Sequence, residues 1–296
     1  ISVEDYNNTC RREVMKYTAE WVNLTKRIGY WVDMDKPYIT YENAYIETLW
    51  YLLKDIYNKG LLYKGYSIQP YSPAAGTGLS SHELNQPGCY RDVKDTTCVA
   101  QFKVLRNGQS EHLFKASGGE QVYFLAWTTT PWTLPSNTAL CVGPKIDYVM
   151  VRSTNPYNGE PAVYVLAQAL VNAHFGAKIP FEVIEGVSYK GSELTGIAYE
   201  QLIPWINPGE GAFRVISGDY VTTEDGTGIV HIAPTFGADD DKVAKKAGVP
   251  PLRVKDIDGI LQPQVDRTGK MYRIEDLDPE WVKSNVNTEA YAPFAG

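Results

Sequence analysis

The sequence predicts an α+β chain: a mainly helical first part, then a long run of short strands arranged as a barrel or sandwich. Three observations carry this. Apolar residues recur at three- and four-residue spacings through the first sixty positions, the period of an amphipathic helix. From Cys98 onward the pattern changes to short runs rich in Val, Ile, Tyr and Phe, separated by turn residues, which is the signature of many short strands rather than of a doubly wound sheet. The composition, 296 residues with 44% hydrophobic and 21% charged, is that of a globular chain long enough to bury a real core.

Taken in order, Val3 to Ile28 reads as one helix, with Val14, Tyr17, Trp21, Leu24 and Ile28 on one face and Gly29 as its stop. A turn-rich stretch runs from Asp33 to Tyr38. Thr40 is placed to cap a second helix, Glu42 to Asn58, closed by Gly60. The strand candidates are Cys98 to Val104, Gln121 to Trp127, Thr138 to Val142, Asp147 to Arg152, Ala162 to Ala167, Phe181 to Val187, Ala212 to Ser217 and Gly228 to Ile232. Helices are expected at Gln168 to Phe175 and Asp239 to Ala247, and the signal thins after Pro250, where Met271 to Leu277 reads as a last strand or loop. The boundaries read from this are a helical segment and linker over 1–88, a strand-rich domain over 89–250 and an exit segment over 251–296.

Two stretches carry chemistry. Gly226-Thr-Gly-Ile-Val-His-Ile-Ala-Pro-Thr-Phe-Gly-Ala-Asp-Asp-Asp241 joins a tight turn, a short strand holding His231, a second turn at Gly237 and three acids opening a helix. Glycine permits close backbone approach and positive φ, and acids suit a helix N-terminus. A strand, turn and helix start would bring His231 and one of Asp239, Asp240 and Asp241 near one pocket. Read one at a time, these residues fit a structural histidine and a solvated cap better than a site. Trp127-Thr-Thr-Thr-Pro-Trp-Thr-Leu-Pro-Ser-Asn137 leaves three hydroxyls at a strand end bounded by Pro131, where they need not all pair with backbone.

Together the two stretches resemble the threonine-rich and Gly-Thr-Gly motifs of the editing domain inserted in class I aminoacyl-tRNA synthetases, in the isoleucyl pattern, because a histidine stands at position 231. The resemblance implies a β-barrel editing domain with decorating helices, preceded by a segment of the class I catalytic domain. It implies post-transfer editing: hydrolysis of valine mischarged on tRNA(Ile). Asp240, His231 and Thr129 are the catalytic candidates. Asp240 holds the substrate's α-ammonium group, and His231 is read as a steric and hydrogen-bonding group in preference to a general base. Trp127, Thr128, Thr130, Trp132 and Asn137 are the substrate-binding candidates.

The implied partners are the 3′ end of tRNA(Ile) carrying valine and the remainder of a synthetase, in the cytoplasm, with no membrane. No cofactor is expected for editing. ATP belongs to the parent enzyme, and no His-Ile-Gly-His-like or Lys-Met-Ser-Lys-Ser-like sequence is present to bind it, so the chain is not expected to charge tRNA. Pro70 to Ser80 is similar to the segment where many relatives carry zinc-binding cysteines. Ser72 and Ala75 stand there instead, so no metal is expected.

Charge and cysteines bound the alternatives. A net charge of −7 argues against a general grip on nucleic acid, and fits an RNA partner only if this chain handles the tip of the tRNA. The four cysteines form no Cys-x-x-Cys pair, which fits a reduced setting. No Gly-x-Ser-x-Gly sequence points to a serine hydrolase, and the four histidines lie far apart. The alternatives that remain are a non-catalytic module that binds or braces the tRNA acceptor end, and the editing domain of a valyl or leucyl relative.

Overall fold

A computed structural model describes residues 1–176 and 179–296, and the chain divides into two compact units, Ile1–Tyr66 and Ser67–Gly296.

The first unit holds three helices: α1 (Val3–Met15), α2 (Thr18–Arg27) and α3 (Asn43–Asn58). The single helix expected over Val3 to Ile28 is therefore two. The Thr18 hydroxyl donates to the Met15 carbonyl at 2.8 Å, and Tyr17 at φ −106°, ψ 12° leaves the helical region. A Thr side chain that bonds back to the preceding turn competes with the helical ladder, and this one lies at the break. Thr40 does not cap α3. Glu42 occupies that position, with no side-chain hydrogen bond. None of the three helices contains a buried residue.

The second unit opens with a hairpin, β1 (Tyr71–Ser72) and β2 (Thr77–Gly78), and a short helix, α4 (Ser81–Leu84), closed at its start by reciprocal Ser80 and Glu83 bonds. Then come β3 (Cys98–Lys103), α5 (Glu111–Ala116), β4 (Val122–Thr128), β5 (Ala139–Val142), β6 (Asp147–Thr154), β7 (Pro161–Ala167), α6 (Val171–His174), β8 (Phe181–Lys190), α7 (Gly191–Leu194), β9 (Arg214–Ser217), β10 (Ile229–Ile232) and α8 (Ala238–Ala247). A C-terminal lobe adds β11 (Val254–Lys255), β12 (Leu261–Gln262), α9 (Pro279–Asn285) and α10 (Thr288–Tyr291).

All eight strands read from the sequence are present, within a few residues at each end. They form one sheet in the order β8-β6-β7-β4-β10-β5-β9, with β3 on the other edge of β4. The sheet curls. Two single bridges, Val104↔Tyr199 and Ala198↔Arg214, join the end of β3 to β9 through residues 198 and 199. The curled part encloses Phe102, Phe124, Leu140, Val215 and Ile229, each 2% exposed or less.

The expected helix at Gln168 to Phe175 is a 3₁₀ turn followed by the single α-turn of α6. Helices α5 and α7 were not anticipated. Each is shorter than two turns, too short for a 3.6-residue period to register. Met271 to Leu277 contains no strand; it holds the bridges Val265↔Met271 and Asp256↔Leu277 at its two ends and a 3₁₀ turn at Ile274–Asp276.

The register of three strands places the site. β10 runs parallel to β4 with Val230 opposite Trp127, and antiparallel to β5 with His231 opposite Leu140. The C-terminal ends of β4 and β10 and the approach to β5 therefore lie together at one end of the sheet. Side chains alternate along a strand, so Thr128 and His231, with Leu140, face the enclosed core, while Trp127 and Val230 face away.

Candidate active site

The Gly-Thr-Gly turn is a clasp on β4. The Trp127 N–H donates to the Thr227 hydroxyl at 3.3 Å, and that hydroxyl donates to the Ile229 carbonyl at 3.2 Å. The Ala167 N–H reaches the Thr227 carbonyl at 2.9 Å, and His174 Nε2–H donates to the Gly226 carbonyl at 2.6 Å. Both glycines have positive φ, 74° at Gly226 and 73° at Gly228. A Cβ at Gly226 would sit 2.9 Å from the Trp127 ring, and one at Gly228 would collide with the Ala167 Cβ. These close approaches explain both glycines without any ligand. Trp127 thus packs against the turn, on the face opposite Thr128, and stays half-buried.

The threonine run ends β4 and turns into a 3₁₀ helix, Pro131–Ser136. Thr128 is buried, and its hydroxyl accepts from the Thr130 N–H at 3.0 Å. The Thr128 and Thr130 hydroxyls lie 3.3 Å apart, and Thr130 and Thr133 hydroxyls 3.4 Å apart. The Thr133 hydroxyl donates to the Thr130 carbonyl at 2.8 Å and lies 2.9 Å from His231 Nε2. With its one proton on that carbonyl, Thr133 accepts from His231, so the imidazole carries its hydrogen on Nε2.

The other face of the imidazole fits that tautomer. Asn137 Nδ2 lies 3.5 Å from His231 Nδ1 and donates to the Ala139 carbonyl at 2.8 Å, while its Oδ1 accepts from the Tyr199 hydroxyl at 2.7 Å. His231 is 6% exposed, and burial lowers its pKa from the usual imidazole range to about 4. At neutral pH it is uncharged, with a partner at each ring nitrogen. That arrangement holds a wall in place and is poorly suited to taking a proton from water.

Asp240 lies in the first turn of α8. Its Oδ2 accepts from the Ala233 N–H at 2.9 Å, two residues beyond His231 at the end of β10. Burial raises its pKa, repulsion from Asp239 adds to the rise, and the Ala233 N–H opposes it. A half-buried carboxylate whose one chain partner is an N–H is stabilised by an arriving cation. Its neighbours behave differently. Asp239 is exposed, while Asp241, expected at the surface, is 9% exposed and bonds Lys245 at 2.6 Å. The helix cap is Gly237, not an acid.

Gly237 is required by Asp240 itself. A Cβ there would lie 2.7 Å from the Asp240 Cγ and 2.8 Å from its Oδ2, yet the backbone, φ −106°, suits any residue. Gly237→Ala should therefore fold normally, with urea stability within about 1 kcal/mol of wild type. It should still displace the carboxylate, and titration of Asp240 followed by NMR is the check: its pKa should fall toward the ordinary range as the group moves into water.

The hydrogen bonds thus link Thr128, Thr130, His231 and Asn137 into one network. Asp240 is anchored separately, at the same end of β10. Thr129, on the turn after β4, and Trp132, inside the 3₁₀ helix, are exposed, Trp132 at 59%. Thr133 and Tyr199 were missed. Thr133 had a local signal, a hydroxyl three residues after Thr130 across Pro131. Tyr199 had none, since it reaches Asn137 from 62 positions away.

The β1–β2 hairpin offers no zinc donor set. Ser72 supplies one hydroxyl, which accepts from the Ala75 N–H at 3.2 Å, and Ala75 supplies nothing. Among the described residues, no three His, Cys, Asp or Glu side chains converge on a metal position.

A curled sheet with helices around it is the fold the editing-domain resemblance implies. Residues 1–281 match the class I tRNA synthetases (I, L, M and V), and the chain belongs to that family. It is 65% identical over 311 residues to an isoleucine–tRNA ligase of Bacteroides fragilis and 61% identical over 312 residues to that of Porphyromonas gingivalis, in each case covering 100% of this chain and 27% of the relative. The chain thus spans about a quarter of the length of these relatives. Among solved structures it is similar to GlLeuRS-CP1, at 21% identity and a TM-score of 0.42, over 54% of this chain and 70% of that one. No described helix is long and apolar enough to cross a membrane.

Proposed function

We propose that the second unit hydrolyses the ester of valine mischarged on tRNA(Ile), acting as the editing site of an isoleucine–tRNA ligase in the cytoplasm. The observation that carries this is that the threonine–His231 hydrogen-bond network and the Asp240 carboxylate, held by the Ala233 N–H, lie at the same end of β4 and β10. The identity to isoleucine–tRNA ligases supports isoleucine as the amino acid of the parent enzyme. Isoleucine and valine differ by one methylene, the standard illustration of a difference too small for a single apolar pocket to reject. A second, smaller pocket admits the smaller product and excludes the correct one.

Each group has a part in this reading. Asp240 Oδ2 stays on the Ala233 N–H, and its other oxygen takes the α-ammonium group. The hydroxyls of Thr129 and Thr130 hold the terminal adenosine and the attacking water. His231, fixed by Thr133 and Asn137, walls the side-chain pocket. Water oxygen bonds to the ester carbonyl carbon, the ribose oxygen leaves, and the water's proton ends on that oxygen. An aminoacyl ester is already activated, so positioning and charge stabilisation suffice without a strong base. The partners are the tRNA(Ile) acceptor end and the remainder of the longer synthetase. ATP serves that enzyme's charging reaction and not this step.

The test is deacylation of valyl-tRNA(Ile), with isoleucyl-tRNA(Ile) beside it, over a range of enzyme concentration. Hydrolysis of the valyl ester with the isoleucyl ester spared is expected. No hydrolysis of either at the highest concentration would leave a binding or bracing module as the better reading.

A further inference from the structure

The two loops of the site are each fastened to the C-terminal lobe by one buried hydroxyl. Ser136, last residue of the 3₁₀ helix that follows the threonine run, donates to Gln264 Oε1 at 2.9 Å across 128 positions of sequence. Thr235, in the turn between His231 and Asp240, donates to the Leu252 carbonyl at 3.0 Å. All three side chains are buried: Ser136 at 2%, Thr235 at 8% and Gln264 at 0% exposed.

The lobe they reach has a core of its own, built from Ile206, Leu252, Val254, Leu277, Val282 and Tyr291. Gln264 adds nothing apolar to it, and its Nε2 is buried with no partner among the described residues. A buried amide that leaves one group unpaired costs stability. Packing alone therefore does not account for a glutamine here, whereas a bond to the threonine loop does.

We propose that Gln264 and Thr235 are positioning residues. They fix the loops carrying Thr130–Asn137 and Ala233–Gly237 to one rigid lobe, and so set the spacing between the threonine wall and Asp240. The consequence for size selection rests on the editing reading, but the clamp itself does not.

Ser136→Ala with Gln264→Leu removes both partners together, which general experience with buried hydrogen bonds makes nearly neutral for folding. Thr235→Val removes the second bond at constant shape, and Thr235→Ser restores it. The readouts are amide exchange and relative hydrolysis. Exchange is expected to quicken at least tenfold at Thr133 and Asn137 in the double variant and at Phe236 and Gly237 in Thr235→Val. It should stay unchanged at Val149, Met150 and Val151 in β6, and return to wild type in Thr235→Ser. The valyl-to-isoleucyl hydrolysis ratio should fall about tenfold through kcat, with KM held. Unchanged exchange in both loops, or equal quickening in β6, overturns the proposal. Absence of hydrolysis by the wild type would count against the editing reading alone, because exchange still decides the clamp.

Discussion

Asp240→Ala is expected to leave the fold intact and to lower deacylation of valyl-tRNA(Ile) about 10²-fold, the scale set by removing one preorganised charge-stabilising group from an active site. The fold should survive because Asp240 makes one bond to the chain, to the Ala233 N–H, and its raised pKa marks a carboxylate that costs stability where it stands. Asp240→Asn keeps the shape and an oxygen for Ala233 but loses the attraction for the ammonium group, so it should resemble Asp240→Ala in rate. In the wild type, activity should fall as pH drops through the raised pKa of Asp240, since the protonated acid no longer holds a cation. Near-wild-type turnover in both variants would remove Asp240 from the mechanism.

Protonation of His231 should destabilise the unit more than any other single titration discussed above. Burial holds its folded pKa at about 4, against an ordinary imidazole value near 6.5 in the unfolded chain. The unfolded chain therefore binds more protons across that window. The stabilisation is fully present above pH 6.5 and is lost as pH falls toward 4, by on the order of 3 kcal/mol. Asp240, with its pKa raised, contributes with the opposite sign: its favourable share is complete below the ordinary carboxylate value and fades as pH rises through the raised one. Urea titrations of wild type and His231→Gln at a series of pH values cancel that contribution. The wild type should lose about 3 kcal/mol more than the variant between pH 6.5 and 4. Parallel curves would mean that the imidazole is not desolvated in the native state.

Much of the site was legible locally because its signals are local. Thr128, Thr130, Asn137 and His231 fall within two short stretches of unusual composition. Alternation and glycine placement predicted a strand, a turn and a helix start around His231, and the strands of the sheet were marked by their Val, Ile and Tyr runs. The expected helix Val3 to Ile28 is two because the spacing of apolar residues continues across Tyr17, where the backbone leaves the helical region.

What the sequence by itself determined was the α+β class, the eight strands of the sheet and the two stretches that form the candidate site, since periodicity and turn residues act over a few neighbouring positions. Only the tertiary structure decided how those pieces serve one another. The parallel register of β4 and β10 turned Trp127 away from Thr128 and set its ring beneath Gly226. Tyr199 and Gln264 entered the site from 62 and 128 positions away. Burial made the imidazole neutral and raised the pKa of the aspartate. Strand register, long-range hydrogen bonds and desolvation depend on which distant segments close around a group, and no window of neighbouring residues contains that information.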